Sequence, residues 1–185
     1  PILAKDDTLL IDGSYKNTVN QTILFNNSAN KVDVKVSYLA NITGSAPSGL
    51  STGKVFASSV SGVSNAQAYL EIDAKGTNIS YFTFDILARN NFASGMTAAK
   101  VQVWNGTAWT DLAGGNFYSL IKTEKVTITI ENVNASKFRL LFQGTGSNNA
   151  GQFMIFDVKL YQTSSAPVTL TWSKVVTDLS TKFSE

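Results

Sequence analysis

Short runs in which apolar and polar residues alternate, each closed by a cluster of turn-forming residues, constrain this chain more than any other feature. Val32, Val34, Val36 and Tyr38 fall on one side of an extended strand, and Asp33, Lys35 and Ser37 on the other. This period of two marks a half-buried β-strand. The pattern recurs from Lys125 to Glu131, where Val126, Ile128 and Ile130 face inward, and at Ala68, Leu70 and Ile72. Between such runs stand Asn26-Asn27-Ser28, the stretch from Thr43 to Gly49, Asn90-Asn91, Gly114-Gly115-Asn116 and the Gly/Asn-rich stretch from Gly144 to Asn149. They punctuate about ten to twelve strands. In 185 residues this predicts one all-β domain, an antiparallel two-sheet β-sandwich of the jelly-roll type.

Composition agrees with that prediction. Charged residues are 15% of the chain and hydrophobic residues 43%, so uncharged Ser, Thr, Asn and Gly must cover most of the surface. These are poor helix formers, whereas Thr, Val, Ile, Tyr and Phe suit pleated sheets. Phe138 to Gln143 and Phe153 to Tyr161 read as a final strand pair joined by the Gly/Asn-rich loop, closing a domain over residues 1–162. Residues 163–185 read as a linker, Thr163 to Pro167, and a C-terminal extension. There, Val168 to Trp172 suit an edge strand, and Val175, Val176, Leu179 and Phe183 have the spacing of a short amphipathic helix. Alternatively the extension begins a following domain.

Several function classes are excluded by what the chain lacks. A net charge of +2 with scattered Lys and Arg supplies no field for a nucleic-acid backbone. No apolar stretch has the length to span a bilayer, so neither nucleic acid nor membrane insertion is expected. No Cys is present, which removes disulfides, thiolate metal sites and thiol nucleophiles and points to an exported protein of the bacterial-surface kind. An extracellular or cell-surface location follows as an expectation, with any export signal already removed. With no His either, Ser-His-Asp and Cys-His catalysis is ruled out, and only carboxylates remain. Six Asn-x-Ser/Thr triplets, at Asn20, Asn26, Asn41, Asn78, Asn105 and Asn134, would imply a eukaryotic or archaeal secretory route if glycosylated, but a chain rich in these residues produces most such triplets by chance.

The candidate carboxylates are Glu71 and Asp73, which share a strand face with Tyr69. The run from Leu70 to Lys75 resembles half of the catalytic motif of jelly-roll glucanases of the laminarinase and lichenase type, where Glu-Ile-Asp is followed shortly by a second Glu. Lys75 and Gly76 follow here, so a two-carboxylate mechanism lacks its acid. A solvent-facing strand without catalysis is the expectation.

Lys100 to Leu112 reads as two strands around an Asn105-Gly106 turn. Val101 and Val103 point one way, leaving Lys100, Gln102 and Trp104 on the other. A two-residue turn sets Trp109 opposite Gln102, and a loop from Asn105 to Ala108 sets it opposite Trp104. Either register places both indoles on one polar face. Sugar rings stack on such a platform while neighbouring polar groups bind their hydroxyls, so Trp104, Trp109, Lys100, Gln102 and Asp111 form the candidate ligand-binding set. The alternative is that one or both indoles pack beneath a neighbouring loop or strand. Phe82, Phe84, Phe138 and Phe142 fit core positions, while Phe92, Phe117 and Tyr118 fall in loops as rim contacts. Asp157 interrupts the apolar run from Phe153 to Leu160. It is a candidate ligand for a structural calcium ion together with Asp6, Asp7 or Asp12; otherwise it is a solvated residue beside Lys159.

Residues from about Leu50 to Tyr161 resemble the galactose-binding-like jelly rolls that accompany secreted bacterial hydrolases and endonucleases, including many carbohydrate-binding modules. The resemblance rests on the strand from Ala68 to Ile72 followed by Ile79 to Leu87, on Val101-x-Val103-Trp104-Asn105-Gly106-x-x-Trp109, and on the closing strand from Phe153 to Leu160. Asp157 matches the Asp common in the last strand of that family. The resemblance implies a ligand in loops at one end of the sandwich or on a concave sheet face, and calcium bridging the first and last strands. A non-catalytic accessory domain follows, with a polysaccharide or glycan and the neighbouring domains of a larger surface protein as partners. The rival expectation is a structural or adhesion module of a bacterial surface layer or appendage with no small-molecule ligand.

Overall fold

The computed structural model describes residues 5–19, 22–27, 31–39, 41–45, 54–58, 64–89, 92–145 and 151–165. Its contacts divide the chain into one unit spanning Leu9–Gln162 and another combining Pro1–Thr8 with Thr163–Glu185. The predicted edge strand and helix at residues 168–183 lie outside the described residues.

Twelve strands are described: β1 (Lys5–Val19), β2 (Thr22–Asn27), β3 (Lys35–Leu39), β4 (Asn41–Ser45), β5 (Lys54–Ala57), β6 (Ala66–Asp73), β7 (Tyr81–Ala88), β8 (Met96–Trp104), β9 (Trp109–Asn116), β10 (Val126–Ile130), β11 (Lys137–Gly144) and β12 (Gln152–Ser165). A single helical turn, α1 (Phe92–Gly95), precedes β8, and a 3-10 turn (Tyr118–Leu120) follows β9. The hydrogen-bonded path runs β10-β7-β12-β1-β2-β3-β6-β11-β8-β9, with β5 pairing β12 and β4 pairing β5. The arms of this path are two antiparallel sheets, and the protein is a β-sandwich.

The sheets meet through aromatic rings. From β11, Phe138 stacks on Phe82 of β7 at 4.7 Å and Phe142 on Phe153 of β12 at 4.0 Å. Phe117, just past β9, meets Phe84 of β7 at 5.3 Å and Phe142 at 5.6 Å, both edge to face. Tyr38 of β3 meets Phe56 of β5 at 5.4 Å, and Phe56 lies 5.8 Å from Phe153. The strict alternation of β6 and β7 produces this interior, because every second residue of each is buried. Phe117 is fully buried, not a rim residue, because the chain turns inward where its N–H donates to the Ala99 carbonyl at 3.0 Å. Phe92 and Tyr118 pack partly buried against the core.

The expected final hairpin does not form. β11 pairs with β6 and β8, whereas β12 pairs with β5 and β7, so the chain crosses between sheets after Gly144. Phe142 and Phe153 instead face one another across the core, their rings stacked at 4.0 Å. β3 begins at Lys35 rather than Val32, although Val32 and Val34 still pack against the core. β12 continues through Ser165, into the stretch expected to be linker.

Ser58 ties the crossover down. Its buried hydroxyl lies 3.3 Å from the Gly151 carbonyl and 3.5 Å from that of Gly95, while its N–H donates to Gly151 at 3.2 Å. Gly151 has φ +66°, and a Cβ there would collide with the Ser58 hydroxyl and stand 2.9 Å from the backbone of Gly95 and Met96. Only glycine combines that approach with left-handed backbone.

Candidate functional site

The outer face of the sheet containing β6, β11, β8 and β9 carries the residues that the inward alternation leaves behind. Glu71 pairs in register with Arg139, Arg139 with Gln102, and Gln102 with Asp111, forming a polar row across four strands. Beside this row Trp104 lies directly opposite Trp109, and Lys137 opposite Asp73. The loop is therefore the four-residue one. Asn105 shapes it: its N–H donates to the Ala108 carbonyl at 3.1 Å, and its side-chain oxygen accepts the N–H groups of Thr107 and Ala108, both at 2.9 Å. Gly106 supplies the left-handed turn at φ +98°.

The two indoles share one partly exposed face, with ring centroids 5.4 Å apart and planes crossed at 63°. They meet edge to face, so the surface they offer is a notch and not a flat platform. Cations line it. Lys137 Nζ is 5.3 Å from the Trp104 ring and 5.6 Å from the Trp109 ring. The Arg139 guanidinium carbon is 4.4 Å from Trp109 and 5.1 Å from Tyr69. Each arrangement lies within cation–π range.

Hydrogen bonds fix the polar row. Arg139 donates from Nε and Nη2 to Gln102 Oε1 at 2.9 and 2.7 Å. Gln102 Nε2 donates to Asp111 Oδ1 at 2.8 Å, and Lys100 Nζ to Asp111 Oδ2 at 2.7 Å. Lys137 pairs with Glu71 at 3.3 Å. The hydrogen bonds from Lys100 and then Gln102 hold the Asp111 carboxyl below the usual carboxylate range. Burial pushes the Arg139 guanidinium down from its ordinary value, against the opposing electrostatic pull of Tyr69 and Glu71.

Lys100, Gln102, Trp104, Trp109 and Asp111 are thus neighbours on one surface. Alternation on β8 and β9 made that grouping legible. Lys137, Arg139 and Tyr69 were missed as members of the site. The signal for the first two was the complementary parity of β11, where Phe138, Leu140 and Phe142 are buried and Lys137 and Arg139 must face out. Of the two half-motif carboxylates, Glu71 is engaged by Lys137, while Asp73 Oδ1 accepts the Lys75 N–H at 2.8 Å.

Asp157 stands elsewhere, in a bulge of β12 where the register against β7 shifts between Phe156 and Lys159. Its φ of +45° is left-handed, a conformation Asp tolerates better than most residues. The bulge resets the period, so that Phe153 and Ile155 before it and Val158 and Leu160 after it are all buried. The interruption of the apolar run therefore has a backbone cause. The side chains of Asp6, Asp7 and Asp12 lie outside the described ones. Among the described residues no three carboxylates gather closely enough to hold a metal ion, and no helix is long and apolar enough to cross a membrane.

No family model matches the chain, and no curated protein does. Solved structures similar to it include a family 32 carbohydrate-binding module from C. perfringens NanJ in complex with galactose, at 16% identity and a TM-score of 0.41, covering 70% of this chain and 93% of that one. A family 27 module from Caldicellulosiruptor saccharolyticus in complex with mannohexaose is similar at 16% identity and a TM-score of 0.40, covering 84% and 96%. The mannan-recognising module TmCBM27 is similar at 15% identity and a TM-score of 0.36, covering 60% and 73%.

Proposed function

We propose that this chain is a non-catalytic glycan-binding module of an exported or surface protein, and that its ligand lies on the outer sheet face at Trp104 and Trp109. The observation that carries this reading is the placement of two partly exposed indoles directly opposite one another beside a hydrogen-bonded row of Arg139, Gln102, Asp111 and Lys100. Aromatic edges and faces receive the C–H surface of a pyranose, and the fixed amide, carboxylate and ammonium groups meet its hydroxyls. The row is held by its own hydrogen bonds before any ligand arrives, which lowers the ordering cost of binding.

Titration against a panel of soluble polysaccharides by calorimetry, repeated with Trp104→Ala and Trp109→Ala, tests the reading. Each substitution is expected to weaken binding about tenfold or more, the loss of one well-buried aromatic contact. Unchanged binding in both variants overturns the site. Concentration-dependent assembly with no glycan bound would instead support a structural module that packs against its own copies. Hydrolysis of any bound polysaccharide that is lost on Glu71→Gln overturns the non-catalytic assignment.

A further inference from the structure

Strands β8 and β11 raise three cations on the outer face, and they are not equivalent. Lys100 meets Asp111 at 2.7 Å and Lys137 meets Glu71 at 3.3 Å, so each ammonium has a carboxylate. Among the described residues no carboxylate lies within salt-bridge distance of Arg139. Among those residues its guanidinium hydrogen-bonds only to the neutral Oε1 of Gln102, which takes Nε and one hydrogen of Nη2. The Trp109 and Tyr69 rings lie 4.4 and 5.1 Å from the group. What remains is the fork formed by Nη1 and the second hydrogen of Nη2, the part of a guanidinium that matches a carboxylate with two parallel hydrogen bonds.

We infer that Arg139 is a carboxylate-recognising group of the proposed glycan site, and that the module's preferred ligand is an acidic glycan carrying a planar carboxylate on its sugar ring. This rests on the glycan-binding reading and narrows it to a substrate class. The two lysines are engaged by Asp111 and Glu71, which leaves Arg139 as the cation of the three whose hydrogen bonds go to a neutral acceptor. The nearby indoles give the ring that bears the carboxylate an apolar surface, so recognition couples a charge contact to a stacking contact on adjacent parts of one ligand.

The test compares polygalacturonate and an α2,8-linked sialic acid polymer, which carry the same group on different sugars, with carboxyl-reduced polygalacturonate and with dextran sulfate. The acidic carbohydrate that fits is expected to bind at least about tenfold more tightly than the reduced polymer, as a bidentate charge-assisted pair would provide. Polygalacturonate preferred identifies a uronate, and the sialic polymer preferred identifies a nonulosonate. In Arg139→Lys, which keeps the charge and loses the fork, and in Arg139→Gln, the ratio of acidic to reduced binding is expected to fall towards one, with folding checked by thermal melting. Equal binding of the reduced polymer by the unmodified protein, sensitive to Trp109→Ala, overturns the carboxylate assignment and leaves the glycan site standing. Equal binding of dextran sulfate, abolished by salt, also overturns it by showing charge without shape. No binding of any polymer overturns both readings.

Discussion

Strand β11 presents Phe138 and Phe142 to one side and Lys137 and Arg139 to the other, and aromatic rings meet it on both. Inside, each ring partners another ring, as in Phe138 against Phe82 and Phe142 against Phe153. Outside, Trp104 and Trp109 meet each other edge to face, and they and Tyr69 also partner cations. Water explains the difference. A phenylalanine excluded from solvent gains most from dense apolar packing. A partly exposed indole keeps its charge-attracting face accessible, and long cationic chains cover it while their heads stay wet. The inner contacts hold the sandwich, while the outer ones fix groups that remain available to a ligand.

The largest effect expected from this contrast is on the inner side. Phe142→Ala is expected to cost about 3–5 kcal/mol in urea unfolding, because the ring is fully buried between Phe117 and Phe153. A loss below about 1 kcal/mol would mean that the inner zipper does not carry the fold. Gly151→Ala comes next, at about 1–3 kcal/mol, since its methyl would displace Ser58 from the crossover. Replacing Ser58 with Ala in the same background should recover part of that loss by removing the clashing hydroxyl. On the outer side, Trp109→Ala is expected to cost only about 1 kcal/mol of stability while weakening glycan binding. A stability loss as large as that of Phe142→Ala would erase the distinction between the two faces.

The smallest expected effect concerns acid. Asp111 has a folded pKa below its unfolded value. Its contribution to stability is therefore complete above the ordinary carboxylate value of about 3.9 and disappears as the pH falls through the lowered folded value. Asp111→Asn should flatten this part of the acid limb in denaturation measured from about pH 5 to pH 2. Because Asp111 is mostly exposed, the change should be slight. A steep acid limb retained in the variant would assign the dependence to other carboxylates.

Much of the core was legible in the sequence because burial on a strand obeys a period of two. Ala68, Leu70, Ile72, Phe82, Phe84, Ile128 and Ile130 are all buried as their parity predicts. Parity failed where the backbone left the regular pleat. Phe117 followed a strand and turned inward, and the bulge at Asp157 shifted the inward set by one residue. Neither event has a hydrophobic signature, since each depends on the register of a neighbouring strand.

The amino-acid sequence by itself determined the all-β class, the inward and outward faces of the central strands, and the company of Trp104 and Trp109 on a polar side, because those follow from alternation within a few residues. Only the tertiary structure decided that β11 and β12 belong to different sheets, that the two indoles cross at an angle, and that Arg139 of β11 comes near both Tyr69 of β6 and Trp109 of β9 with, among the described residues, no carboxylate at salt-bridge distance. Strand order and inter-strand contact join residues remote in the chain, and a local pattern carries no record of which strand will lie beside which.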